Sequence, residues 1–247
     1  MDKKIDFLNI PLDTLTMQET IAQVNTAIFS NKHIHHCVIN AGKVVQMQED
    51  KLLRDSVVNS DLINADGMSI VWAVRFLGHK IPERVAGIDL MEKLVELSFK
   101  KKYKCFFFGA NEKIVKKLVN DYSEKYSKDL IAGYQNGYYN ESDEHDIVEQ
   151  IRSSRANILF VAMTSPKKEI FLNTYKKELS GINFIMGVGG SFDVISGKTD
   201  RAPKFMQDIG LEWFYRFIQE PKRMWKRYLI GNFKFLVLIL KAKLKYI

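Results

Sequence analysis

Residues 157–179 read "NILFVAMTSPKKEIFLNTYKKEL". An unbroken apolar run, Ile158 to Ala162, gives way to a short polar loop, and a charged segment of helical period follows. A run this short and this apolar reads as a strand buried on both faces. The same unit recurs along the chain. Strand-like runs fall at "HCVIN" (36–40), "DLIN" (61–64), "KCFFFGA" (104–110), "LIAGY" (130–134) and "INFIMGV" (182–188). Amphipathic helical patterns lie between them, among them "MQETIAQVNTAIF", "GIDLMEKLVELSFKKK" and "EKIVKKLVNDYSEKY". Strand–helix alternation of this kind predicts an α/β fold, a Rossmann-like, mostly parallel sheet with helices on both faces. The composition changes near "SGKTDRAP" (196–203). The expected organisation is a core over residues 1–197 and a basic helical appendage over 198–247.

The charge is distributed unevenly. The chain of 247 residues has 37 Lys and Arg against 29 Asp and Glu, a formal +8. From Arg216 onward there are nine basic residues and one acid, Glu220, which leaves 28 of each sign in residues 1–215. The whole excess sits in the tail. Cys37 and Cys105 lie inside apolar runs and read as core residues of a reducing compartment. The opening residues do not resemble a secretory signal. The longest uncharged apolar run of the tail, "FLVLIL" (235–240), is far short of the roughly 20 residues a spanning helix needs. A cytoplasmic protein that does not cross a membrane is expected.

In an open α/β sheet, ligands bind beyond the carboxyl ends of the strands. The segments there are "NAGK" (40–43), "NADGM" (64–68), "GANEK" (109–113), "GYQNGYY" (133–139), "MTSPKKE" (163–169) and "GVGGSFD" (187–193). They form a polar, backbone-rich rim suited to a sugar nucleotide. Gly187, Gly189 and Gly190 can present N–H groups to a diphosphate, or make a plain turn between strand and helix. Asp193 can accept ribose or base hydrogen bonds, or cap a helix. Ser165 fits an N-cap and Pro166 a first helical position, so the helix start reads either as an anion site assisted by Lys167 and Lys168 or as a capped surface helix. Asp66 is placed as a general base or as an N-cap. Arg84, in "PERVAG", is placed as a phosphate clamp or as an ion-pair partner of Glu83 or Asp89. The "HIHH" stretch (33–36) lacks companions for a zinc site, and D-x-D, G-x-G-x-x-G and P-loop patterns are absent. No metal or cofactor is therefore expected.

The tail divides at Pro221, and Gly231-Asn232 is read as a second break. Lys234, Lys241 and Lys245 share a stripe beside "FLVLIL". A basic amphipathic helix with aromatic residues settles at an anionic membrane surface. Nucleic acid would be drawn by the charge alone but gains nothing from the apolar run, so it is not expected as a partner. A third reading packs these helices on the core or on a second subunit.

Together these motifs resemble a known family. "NADGM", "PERVAGIDLM", "FFGA", "GYY", the "LFVAM" and "SPKKE" segments, "GVGGSFDVISGK" with "RAP", and "GLEWFYRFIQEPKRMWKRYL" occur in the order found in the WecG/TagA/CpsF glycosyltransferases. That family includes the N-acetylmannosaminyltransferases of teichoic-acid linkage-unit and enterobacterial common antigen synthesis. The resemblance implies an inverting, metal-independent enzyme that moves a sugar from a UDP-sugar to N-acetylglucosamine on a polyprenyl diphosphate. It places the base on Asp66, with Arg84 beside it. Donor contacts fall on Asn40, Ser165, Lys168, Gly187, Gly189, Gly190 and Asp193. Acceptor and membrane contacts fall on Arg216, Arg223, Lys226 and Arg227. Lys168 stands where the family has glutamine, which fits a donor carrying an extra carboxylate. Val38 stands where the family often has threonine. The implied location is the inner face of the bacterial plasma membrane, and homo-oligomers are compatible with all of this. The rival reading is a membrane-bound scaffold that binds a nucleotide sugar without catalysis.

Overall fold

The computed structural model describes residues 3–245, apart from the side chains of Arg223, Lys226, Arg227 and Lys245. The strands are β1 (Lys4–Asp6), β2 (Pro11–Asp13), β3 (Ile34–Ile39), β4 (Leu62–Ala65), β5 (Cys105–Gly109), β6 (Ile131–Gln135), β7 (Ile158–Ala162) and β8 (Phe184–Gly187). The helices of the core are α1 (Met17–Phe29), α2 (Ala41–Gln46), α3 (Lys51–Val58), α4 (Met68–Phe76), α5 (Gly87–Lys101), α6 (Glu112–Lys125), α7 (Glu144–Ser153), α8 (Lys167–Thr174) and α9 (Ser191–Ile195). The tail follows as α10 (Lys204–Asp208), α11 (Glu212–Gln219), α12 (Pro221–Trp225) and α13 (Gly231–Lys245).

β3 to β8 form one sheet in the order β4-β3-β8-β7-β5-β6, and every pairing in it is parallel. All six strand-like runs seen in the sequence enter this sheet. β1 and β2 pair separately and antiparallel. Successive residues of a strand point to opposite faces, and alternate residues of β5, β7 and β8 pack into different clusters. Phe107, Phe160, Phe184 and Met186 pack with Leu90, Leu94, Val115 and Leu118 of α5 and α6. Phe106, Phe108, Leu159, Val161 and Ile185 pack with Ile147 and Ile151 of α7 and Phe171 and Leu172 of α8. At the β3–β4 edge, Cys37, Ile39 and Ile63 pack with Val44 of α2, Leu53 of α3 and Ile70 of α4. Helices thus cover both faces. With every strand running the same way, six strand-to-helix loops meet along one rim.

The tail joins this packing. Phe235 and Ile239 of α13 are buried in the cluster that holds Val44 and Ile70, and α13 lies against α2. Lys234 closes the contact with a salt bridge to Glu49, 2.9 Å long. Gly231-Asn232 does not break the helix. A π-helical turn over Lys226–Ile230 runs directly into α13. Glycine inside a helix costs only about 1 kcal/mol, and burial of Phe235 and Ile239 outweighs that. The "FLVLIL" run is consequently divided: Phe235 and Ile239 face the core, while Leu236 and Leu240 are exposed.

Phe235→Ala is expected to destabilise the protein by about 3–5 kcal/mol and to open α13 to protease. Chemical denaturation and limited proteolysis check this, and an unchanged midpoint would mean that the tail folds apart from the core.

Candidate active site

The rim encloses a cleft of about 1570 Å³ whose lining includes Asn40, Asp66, Arg84, Ser165, Lys168, Gly187, Gly189, Gly190, Asp193 and Arg216. Ligand pockets for single small molecules run to roughly 1,000 Å³, so this cleft has room for two reactants. Ten of the positions singled out in the sequence come together here. The side chains of Arg223, Lys226 and Arg227, assigned to the acceptor and membrane, lie outside the described residues.

Asp66 follows β4 directly. Its carboxylate accepts a hydrogen bond of 2.8 Å from the N–H of Gly87, the first residue of α5. It therefore sits at a helix N-terminus, but of α5 rather than of the adjacent α4, whose cap position is Gly67 with no side-chain cap. Val85 N–H bonds to Ala65 C=O at 2.8 Å and draws the 84–87 segment alongside β4. Burial pushes the Asp66 carboxyl above its ordinary value. The Gly87 N–H opposes that shift, the charge of Glu212 adds to it, and Lys43 and Arg84 oppose it more weakly. A carboxyl raised in this way, in a cleft, is suited to take a proton.

Arg84 pairs with neither Glu83 nor Asp89. Its Nη1 lies 3.0 Å from Glu212 Oε2 of α11. The Glu83 carboxylate instead accepts from Met17 N–H, and Asp89 meets Arg201 at 2.7 Å.

Asn40 caps α2, its side-chain oxygen accepting from Lys43 N–H at 3.0 Å. Ser165 does not cap α8. Lys168 N–H, one of the donors a Ser165 cap would satisfy, already bonds Thr164 C=O at 3.3 Å, and Pro166 takes the cap position. The Ser165 hydroxyl is buried and without a hydrogen-bond partner among the described residues. The Lys167 ammonium lies 3.7 Å from the centre of the Tyr139 ring, a cation–π contact.

Lys168 is buried, and so is Glu169 beside it. Lys168 Nζ and Lys43 Nζ each lie 2.7 Å from the same oxygen, Glu169 Oε1. Lys43 also donates to Val38 C=O at 2.6 Å. Burial alone would raise the Glu169 carboxyl, but the two ammonium charges win and hold it well below the usual carboxylate range. Burial, and then the Lys43 charge, lower Lys168. Two cations on one anion leave a net positive charge in the cleft floor. A Cβ on Gly187 would come within 3.1 Å of the Lys168 stem, so glycine is what lets β8 end against this cluster. Neither Lys43 nor Glu169 was assigned a role from the sequence, although both stand in the rim segments quoted for other residues.

Gly189 has φ +55°, a left-handed conformation that favours glycine. A Cβ on Gly190 would lie 3.1 Å from Arg216 Nη2, which brings α11 to the end of the "GVGG" turn. Asp193 is inside α9, not its cap, and pairs with Lys198 at 2.9 Å. His35 and His36 are buried within the sheet. Burial lowers them to about 3 and about 4, so both are neutral. Among the described residues no group of His, Cys, Asp or Glu side chains is placed to hold a metal ion.

A parallel sheet whose loops gather a helix-bound carboxylate, glycine turns and a cluster of two ammonium groups on one carboxylate into one large cleft has the build of a group-transfer enzyme for anionic substrates. The chain belongs to the glycosyl transferase WecG/TagA/CpsF family, whose model matches residues 5–247. It is 36% identical over 181 residues to the N-acetylglucosaminyldiphosphoundecaprenol N-acetyl-beta-D-mannosaminyltransferase of Bacillus subtilis strain 168. That alignment takes in 73% of this chain and 69% of the relative. The protein of the same name from Bacillus spizizenii is 34% identical over 171 residues, 69% of this chain and 65% of the relative.

Glu169→Gln leaves two buried ammonium groups without their counter-ion and is expected to cost about 3–5 kcal/mol. A urea or guanidinium titration measures it. A change below 1 kcal/mol would show that the cluster is hydrated and weak.

Proposed function

We propose that this protein transfers a sugar of the N-acetylmannosamine or a related hexose or uronic acid type. The donor is a UDP-sugar and the acceptor is N-acetylglucosamine on a polyprenyl diphosphate. The reading includes inversion at the anomeric carbon and independence from a divalent metal. Its main support is the position of Asp66: a carboxylate of raised proton affinity, held at the α5 N-terminus, in a cleft with room for two reactants and a floor where two ammonium groups share one carboxylate. Relatives named for transfer to N-acetylglucosaminyldiphosphoundecaprenol support the acceptor class.

In this mechanism Asp66 accepts the proton of the acceptor hydroxyl as its oxygen attacks the anomeric carbon from the face opposite UDP. The new C–O bond forms as the bond to the β-phosphate oxygen breaks, and UDP leaves with the electron pair. The backbone around Gly187–Gly190, with Arg84 and Arg216, offsets the charge growing on UDP. In this reading Lys168 lines the donor subsite, and the carboxylate of an acidic sugar joins Glu169 as a second partner of its ammonium.

The tail supplies the membrane contact in this reading. Leu229, Phe233, Leu236, Leu240 and Leu244 are exposed and recur at helical spacing along the tail helix. They lie on a different side of the helix from Phe235 and Ile239, and Lys241 is exposed beside them. Among the described residues no helix is long and apolar enough to cross a membrane. An apolar stripe flanked by lysines fits the headgroup region of an anionic bilayer, and this supports the reading of an enzyme held at the membrane's inner face.

The test offers a short-chain diphosphate-linked N-acetylglucosamine lipid and a panel of neutral and acidic UDP-sugars in EDTA, with products read by mass spectrometry. One donor is expected to give a mass increment, and Asp66→Asn to lower the rate about 10²–10⁴-fold. Because the base must be ionised, kcat/KM should fall with decreasing pH through a midpoint above the ordinary Asp value of about 3.9. Lys168→Gln is expected to shift preference away from acidic donors, and an unchanged preference removes Lys168 from donor selection. UDP binding without product from any donor, unaffected by Asp66→Asn, would favour the scaffold.

Leu236→Asp with Leu240→Asp is expected to abolish sedimentation with phosphatidylglycerol vesicles while UDP binding persists. Retained sedimentation would remove this stripe from the membrane contact.

A further inference from the structure

Glu212 joins two arginines from separate stretches of the chain, Arg84 before α5 and Arg201 between α9 and α10. Its Oε2 meets Arg84 Nη1 at 3.0 Å, and its Oε1 faces Arg201 Nε at 3.9 Å. Among the described residues Glu212 is the one acid paired with Arg84. Arg201 is held through Nη1 by Asp89 at 2.7 Å, yet its Nε and Nη2 are buried without a hydrogen-bond partner. Its Nη1 also has Glu92 Oε2 at 3.9 Å, so the acids Asp89 and Glu92 lie on the Nη1 side. A part-buried guanidinium with two unused, buried donors, joined by one carboxylate to a second guanidinium, has the makings of an oxyanion site. A side-chain carboxylate now stands in it.

The same helix also reaches the glycine turn. Arg216, one turn after Glu212 on α11, lies against Gly190. Thus α11 presents a carboxylate to the two arginines and a guanidinium to the glycine turn. A ligand phosphate lying between them attracts Arg216 and competes with Glu212. Glu212 also faces Asp66 closely enough that its charge raises the Asp66 carboxyl.

We infer that Glu212 is an internal substitute for a diphosphate: it occupies the Arg84–Arg201 site until a phosphate-bearing reactant displaces it. The inference rests on the reading of Arg84 as a phosphate ligand. Diphosphate can come from the nucleotide donor or from the lipid acceptor, and both present the same oxyanion chemistry. Competition gives an opposite sign from a structural role. Removing a competing carboxylate strengthens ligand binding, whereas removing a strut that shapes the site weakens it.

The experiment measures binding of UDP, and separately of a short isoprenyl diphosphate, to the full-length wild type, Glu212→Gln, Arg84→Gln and the double variant. Glu212→Gln is expected to tighten one of the two ligands about two- to fivefold, as removal of one partly exposed ion pair allows. The ligand that tightens identifies the source of the diphosphate. Arg84→Gln should weaken the same ligand, and Glu212→Gln should add nothing in that background. Glu212→Ser carries the same expected sign and serves if the glutamine variant folds poorly. If Arg84→Gln weakens binding but neither Glu212 variant tightens it, the inference falls and Arg84 remains a phosphate ligand. If Arg84→Gln changes neither ligand, both fall.

Discussion

One buried carboxylate, Glu169, holds two ammonium groups that arrive from separate parts of the sheet. Lys43 comes from the start of α2, after β3, and Lys168 from the start of α8, after β7. β8 lies between those two strands and ends in Gly187, against the Lys168 stem. Bringing such charges out of water costs several kcal/mol per ion unless the partners are in place. The cluster therefore ties together the ends of three strands, and the rim loops grow from those ends. It also fixes the electrostatics of the cleft floor: one negative charge against two positive ones, at low local dielectric, leaves a site that favours an anion.

The all-parallel sheet turns this local constraint into a site. Antiparallel neighbours would send alternate loops to opposite edges, while six parallel strands send every carboxyl end to one rim. Asp66 gains from that arrangement. Burial alone would leave its charge costly, but α5 begins beside it and supplies the Gly87 N–H together with the positive end of the helix. The carboxylate stays poised: proton affinity is raised by burial and by Glu212, and bounded by the helix and the nearby cations.

The strands were legible because burial on both faces leaves short, almost purely apolar runs, and α1 was legible to its ends because Thr16 and Glu19 form a capping box around the amphipathic repeat. The rim was legible for a topological reason: a parallel sheet assigns each strand's following loop to the same edge. Pairings across the sequence were not legible. Glu169 meets Lys43, and Glu212 meets Arg84, over separations that no local period encodes. Local signals also misled where backbone bonding decided the matter. Ser165-Pro166 has the composition of a helix start, but Thr164 C=O takes the amide that the serine would have capped. Gly231-Asn232 has the composition of a break, but the buried side of α13 carries the helix through it.

The tail shows why one amphipathic pattern supported two readings. A helix has room for an apolar stripe on each of two sides, and this one uses both. Phe235 and Ile239 bind it to α2, whose cap, Asn40, is part of the rim. Leu229, Phe233, Leu236, Leu240 and Leu244 form the other stripe. Docking on the core therefore does not compete with docking on a bilayer. On the proposed reading it sets the orientation, because the exposed stripe is fixed relative to α2, and α2 is fixed relative to the cleft. A lipid-linked acceptor would then meet a cleft already held at a defined height above the membrane, with Glu212 and Arg216 of α11 in its lining.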